Sequence, residues 1–238
     1  MALRSDAPLQ PQADCVRPQW LHHGSSISHG SNATRPTAIW PAIAARLGGM
    51  ELTNLGFGGS ALLDPFTART MRDTPADAIS IKMGINIVNR DLMRLRAFGP
   101  VVHGFLDTVR DGHPETPLLV VSPIFCGIHE DTPGPGAFDM AALAEGKMGF
   151  IATGDPRETA TGKLTLRIIR KELERIVRSR AESDPHLHFL DGLELYGESD
   201  AQTHPLSDAL HPDSESHRLM GGRFARLAFG PGAPLEAH

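Results

Sequence analysis

The sequence predicts an α/β fold: a three-layer α/β/α sandwich around a five-stranded parallel sheet. Strand-like runs alternate with helical patterns from residue 19 onward. The run Pro117 to Val121 is apolar almost throughout, as expected of a strand buried on both faces. At 238 residues the chain has enough material for one large domain with a substantial core.

Taken in order, residues 1–18 read as an N-terminal tail or linker, because Pro8, Pro11 and Pro18 lie among Ser, Asp and Gln. Residues 19–238 form the domain. Gln19 to His23 is a short first strand that leads into Gly24. Thr37 to Leu47 has the helical period, with Trp40, Ile43 and Leu47 on one face and Gly48-Gly49 as the stop. Met50 to Leu55 and Asp77 to Met83 are the second and third strands. Pro100 to Asp111 is a helix with the stripe Val102, Phe105, Leu106 and Val109; Pro100 suits its first turn and Gly112 ends it. Pro117 to Val121 is the fourth strand.

The rhythm breaks in an insert from about 125 to 162, which holds Pro133-Gly134-Pro135-Gly136 and Gly154-Asp155-Pro156. So long a loop in a compact domain points to a lid or a binding wall. Thr165 to Arg180 is a helix with Leu166, Ile169, Leu173, Ile176 and Val177 facing inward and Thr165 as its cap. His186 to Leu190 is the fifth strand, and a last helix runs from Ser214 to about Phe229 after Asp213 as cap.

Composition narrows the partners. The net charge is −5 and basic residues are spread along the chain, which argues against nucleic acid. The two cysteines, Cys15 and Cys126, give neither a metal-ligand spacing nor a disulfide framework. Met1 to Asp14 lacks the apolar centre of a secretory signal, and no apolar run is long enough to span a bilayer. The expectation is a cytoplasmic, reduced protein without metal or cofactor; the oligomeric state is left open.

Four short pieces carry chemistry. They are Gly24-Ser25-Ser26-Ile27-Ser28, Asn54-Leu55-Gly56-Phe57-Gly58-Gly59, Gly84-Ile85-Asn86, and Asp208-Ala209-Leu210-His211-Pro212. Together they supply a hydroxyl nucleophile, a base with an orienting carboxylate, and three donors for an oxyanion, which is the set acyl transfer needs. In a parallel sheet, ligands bind outside the carboxyl ends of the strands. Ser26, Gly59 and Asn86 fall just past the ends of strands one, two and three, and Asp208 and His211 fall past strand five. A separation of three residues on one turn lets the carboxylate reach one imidazole nitrogen, leaving the other for Ser26.

The ordered blocks resemble the SGNH hydrolases, also called the GDSL family of esterases and lipases, over roughly residues 17–230. The resemblance implies a flavodoxin-like sheet and assigns roles. Ser26 would be the nucleophile, His211 the general base and Asp208 the triad acid. The backbone N–H groups of Ser26 and Gly59 and the side-chain amide of Asn86 would form the oxyanion hole. The stretch Asn54 to Pro65 resembles a bacterial branch with Gly-Ser-Ser in its first block. Larger members of that branch carry a β-sandwich ahead of the hydrolase domain, and the tail Ala2 to Pro18 looks like what would join the two.

The family's usual Gly-Asp-Ser is Gly24-Ser25-Ser26 here. Ser25 is thus a rival nucleophile, though spacing from Gly24 favours Ser26. The resemblance implies a serine esterase acting on a small-molecule, carbohydrate or lipid ester, with a short acyl group such as acetyl. A binding protein on the same fold, an acyltransferase and a thioesterase would use the same residues.

Ser25, His29, Phe125 and Met148 are candidate substrate contacts, and Phe125, Phe138, Met140, Met148 and Phe150 could form an apolar wall from the insert. Other features have plainer readings. Gly56-x-Gly58-x-x-Ala61 loosely matches a dinucleotide fingerprint but sits on the wrong strand for one. His22 and His23 read as packed or half-exposed strand residues, and Lys82 as a solvated strand end. His186 and His188 share a face without the further ligands of a metal site. The basic positions Arg167, Arg170, Lys171, Arg175 and Arg178 read as a solvated helix face, and Cys126 as a small buried hydrophobe beside the site wall.

Overall fold

A computed structural model describes Asp6 and residues 17–236, so most of the predicted tail, including Cys15, lies outside the described residues. Strand β1 (Gln19–Gly24) leads into a single turn, α1 (Ser26–His29). Helix α2 (Trp40–Gly48), strand β2 (Glu51–Gly56), helix α3 (Pro65–Asp73), strand β3 (Ala78–Lys82) and the short α4 (Ile85–Asn89) follow. Next come α5 (Leu95–Arg110), β4 (Leu118–Val121), and the insert with β5 (Gly136–Phe138), α6 (Met140–Ala144) and β6 (Phe150–Ala152). The chain closes with α7 (Leu166–Ala181), β7 (Leu187–Leu190), α8 (Glu198–Thr203) and α9 (Ser214–Phe229).

The main sheet has five parallel strands, as predicted, and their order is β2-β1-β3-β4-β7. Side-chain alternation sends each strand to two cores. Leu21, Ile79, Ile81, Leu118 and Val120 pack against α3, α5 and α7 on one face. Trp20, Ala78, Leu119 and Val121 pack against α2 and α9 on the other, around the stacked rings of Trp20 and Phe224. The connection out of β1 runs to β2 on one side, and β3 returns to its other side. That reversal is the topological switch point, where the strand ends leave a crevice.

Two expectations need correction. Pro100 is not in the first turn of its helix, because α5 starts at Leu95 and the proline lies inside it. The apolar stripe extends back to the fully buried Phe98, whose burial is worth about 1.5–3 kcal/mol. Pro100 itself is exposed, so water can serve the carbonyl of Arg96 that loses its partner. The insert is not loop throughout. Its strands β5 and β6 form a separate two-stranded antiparallel ladder, pairing Gly136 with Ala152 and Phe138 with Phe150.

Candidate active site

Block one is a strand-to-helix turn. Ser25 is the N-cap of α1 and accepts a long hydrogen bond from the N–H of Ile27 at 3.4 Å. Ser26 is the first helical residue, a position whose N–H has no intrahelical acceptor. A Cβ on Gly24 would collide with Ser28 Oγ, so glycine lets α1 fold back tightly onto the end of β1.

The first three blocks are tied to one another. The N–H of Phe57 donates to the carbonyl of Gly24 at 2.8 Å, joining block two to block one. Gly59 has φ +70°, the left-handed turn conformation that favours glycine. The N–H of Ala61 donates to Asn86 Oδ1 at 3.0 Å, which joins block three to the turn just past block two. That bond fixes the amide so that Nδ2 is the end left for the cavity.

Asp208 and His211 occupy the turn before α9. Ala209 between them has φ +65°. Asp208 Oδ1 accepts from the N–H groups of Leu210 at 2.9 Å and His211 at 2.6 Å. Its Oδ2 lies 2.8 Å from His211 Nδ1 and also accepts from Asn32 Nδ2 at 3.1 Å. Burial pushes the Asp208 carboxyl up, but the hydrogen bonds from the His211 ring and the two backbone N–H groups outweigh it and hold it at about 2. Because Nδ1–H points at the carboxylate, Nε2 is the free imidazole nitrogen. It lies 3.0 Å from Ser26 Oγ, across a sequence separation of 185 residues.

These groups open into a cavity of about 420 Å³, lined by Ser26, Ser31, Gly58, Gly59, Asn86, Asn89, Arg90, Gly136, Ala137, Phe138, Phe150, Leu210 and His211. The insert supplies one wall: the Phe150 ring stands edge-on to the His211 ring at 5.5 Å and packs on Phe138 at 5.2 Å. The N–H of Phe150 donates to the carbonyl of Asp208 at 2.9 Å.

Ser26, Gly59, Asn86, Asp208 and His211 therefore meet at one edge of the sheet. The four candidate substrate contacts do not. Ser25 is only 2% exposed and turned inward as a cap, which leaves Ser26 as the serine at the cavity. His29 is exposed on the far end of α1, beside Gly58 but off the cavity. Phe125 packs into the core on the α2 and α9 face. Met148 sits exposed at the tip of the insert, beyond the wall that Phe150 forms. Of the apolar candidates only Phe138 and Phe150 reach the cavity, as the directly paired residues of the ladder's last rung.

Lys82 also departs from expectation. It is 2% exposed, and burial lowers its ammonium to about 8. His22 and His23 are both buried, the packed one of the two expected alternatives. Two residues at the site are not expected there from the sequence. Arg90 lies four residues after Asn86, hence on the same helix face, which the spacing could have revealed. Asn32 sits in a loop, and nothing local points to its contact with Asp208.

Residues 20–126 match the model of the GDSL-like lipase/acylhydrolase family. No curated protein matches the chain. Among solved structures, a salicylyl-acyltransferase of a tetracycline biosynthetic pathway is 26% identical with a TM-score of 0.70, over 89% of this chain and 54% of that one. A protein from Bacteroides ovatus described as a GDSL-like lipase is 21% identical with a TM-score of 0.65, over 93% of this chain and 56% of that one. A carbohydrate acetylesterase family member from Sinorhizobium meliloti is 19% identical with a TM-score of 0.55, over 87% and 95%. The chain spans little more than half the length of the first two. Among the described residues no helix is long and apolar enough to cross a membrane. Residues 20–126 thus carry the sequence signature of the GDSL-like lipases and acylhydrolases, and the chain has the α/β fold of the esterases and acyltransferases it resembles.

Proposed function

We propose that the chain is a serine esterase that hydrolyses a carboxylic ester with a short acyl group through an acyl-enzyme. The reading rests above all on one geometry: Ser26 Oγ 3.0 Å from His211 Nε2, with Nδ1 of the same ring 2.8 Å from Asp208. His211 takes the proton of Ser26 as its oxygen attacks the ester carbonyl. The developing oxyanion is received by the N–H groups of Ser26 and Gly59 and by Asn86 Nδ2. His211 then protonates the departing alcohol, and water repeats the sequence on the acyl-enzyme. The carboxylate of Asp208 keeps the proton on Nδ1 and stabilises the imidazolium. A cavity of about 420 Å³, closed on one side by Phe138 and Phe150, suits a small acyl group.

The test is a panel of p-nitrophenyl esters of rising acyl length, together with a fluorophosphonate probe. Hydrolysis that peaks at short acyl chains, with probe mass on the peptide containing Ser26, is the expected result. Folded protein that neither turns over esters nor takes the probe would instead be a binding protein on this fold. The likeness to a salicylyl-acyltransferase favours a second reading, transfer of the acyl group to an alcohol rather than to water. Product analysis with competing alcohols separates the two.

A further inference from the structure

We propose that Arg90 selects esters whose acyl part carries a carboxylate, its guanidinium serving as the counter-ion. The inference rests on the esterase reading and names its substrate class. Arg90 caps α4 one turn beyond Asn86 and lines the cavity. Its side chain lies beside the glycine of block two: Nη2 is 3.5 Å from where a Cβ of Gly59 would stand, and Nε reaches the Gly59 carbonyl only at a long 3.4 Å.

Among the described residues Arg90 pairs with no carboxylate. Ten other described arginines each pair with one, and of the described arginines without one Arg90 is the one that lines this cavity. The adjacent Asp91 is taken by Lys163 at 2.9 Å. Among the described residues no aspartate or glutamate lines the cavity, although the chain as a whole is acidic. A planar fork of N–H donors without a carboxylate partner, at the exposed rim of such a cavity, matches a carboxylate in shape and charge.

The placement also says which half of the ester bears that charge. The alcohol leaves where His211 can protonate it, and that side is flanked by Phe150. Arg90 instead lies beside the Gly59 donor, which assigns its anion to the acyl half of the ester.

The experiment compares kcat/KM for the p-nitrophenyl half-esters of glutarate, adipate and suberate with their methyl-capped forms. Wild type, Arg90→Gln, Arg90→Lys and Arg90→Glu are assayed, with uncatalysed hydrolysis subtracted. The expected result is a preference of at least tenfold for the free carboxylate in wild type. That preference falls to near one in Arg90→Gln, is partly kept in Arg90→Lys and is inverted in Arg90→Glu. The same ratio in wild type and Arg90→Gln overturns the proposal, since a residue that merely steadied Gly59 would slow both esters alike. A charge preference confined to the alcohol, seen with 4-carboxyphenyl acetate against phenyl acetate, overturns it too.

Wild type inactive on every ester defeats the esterase reading alone. Calorimetry with the monoamide of adipic acid then decides. Binding at least tenfold weaker in Arg90→Gln upholds the anion site, and equal binding removes it.

Discussion

Two serines of one helical turn, Ser26 and Ser28, each hydrogen-bond an imidazole, and the two pairs differ in what stands behind the ring. Ser26 meets His211 at 3.0 Å, with the Asp208 carboxylate behind it and a cavity in front. Ser28 meets His22 Nε2 at 2.8 Å, while His22 Nδ1 lies 2.7 Å from Ser80 Oγ, which also accepts from Trp20 Nε1 at 2.9 Å. Ser28, His22 and Ser80 are fully buried. Burial first, then His23 and Lys82, push the His22 imidazole well below its ordinary value, so it stays neutral. A serine beside a histidine is therefore not enough. Behind Ser26 a carboxylate can stabilise the imidazolium, and behind Ser28 there is only a hydroxyl. The second pair is a buried polar bridge that staples α1 to β1 and β3.

The sharpest way to break this contrast is to remove each hydroxyl. Ser26→Ala should lose roughly 10⁶-fold in kcat, because triad members act as a unit. Comparable turnover in that variant and wild type, in a p-nitrophenyl ester assay, would remove the contrast altogether. Asp208→Asn should lose roughly 10⁴-fold by leaving the wrong tautomer facing Ser26, measured the same way. Asn86→Ala should lose about 10²–10³-fold, the worth of one oxyanion donor, with kcat affected more than KM.

Acid separates the two pairs by stability. His22 is neutral when folded but takes a proton when unfolded, so its contribution is lost as pH falls below 6.5. Asp208 is held at about 2 against an ordinary 3.8, so it contributes about 2 kcal/mol that persists above 3.8 and is lost only as pH falls toward 2. Urea denaturation across pH should lose the lower window in Asp208→Asn; an unchanged profile would mean that the carboxylate is not held as described. The smallest effect belongs to Ser28→Ala: about 1 kcal/mol of stability by denaturation, with kcat within a few-fold of wild type. A collapse of activity there would place Ser28 in the chemistry.

Much of this was legible because it follows from periodicity and topology. Apolar strands such as Leu118–Val121 announce a sheet buried on both faces, and strand ends bring Ser26, Gly59 and Asn86 to one edge whatever their chemistry. What was hidden lies in elements too short to show a period. Gly136–Phe138 and Phe150–Ala152 are three-residue strands whose pairing exists only in three dimensions, so Phe150 could not be told from Met148 as the wall. Phe125 looked equally apolar and went to the opposite core. The bond from Asn32 to Asp208 crosses 176 residues of sequence. Lys82 reads as a strand end, and only the packing around it reveals that it is covered.

The ladder of β5 and β6 has a consequence for how such a protein can diversify. Its last rung before the tip is pinned, because the main chain of Phe150 holds that of Asp208 at 2.9 Å, so a change there disturbs the turn that carries Asp208. Its tip, from Met140 to Met148, stands free of the sheet and shares no such bond. New selectivity can be grafted at the tip as an exchangeable part, while the reactive centre beneath is inherited unchanged.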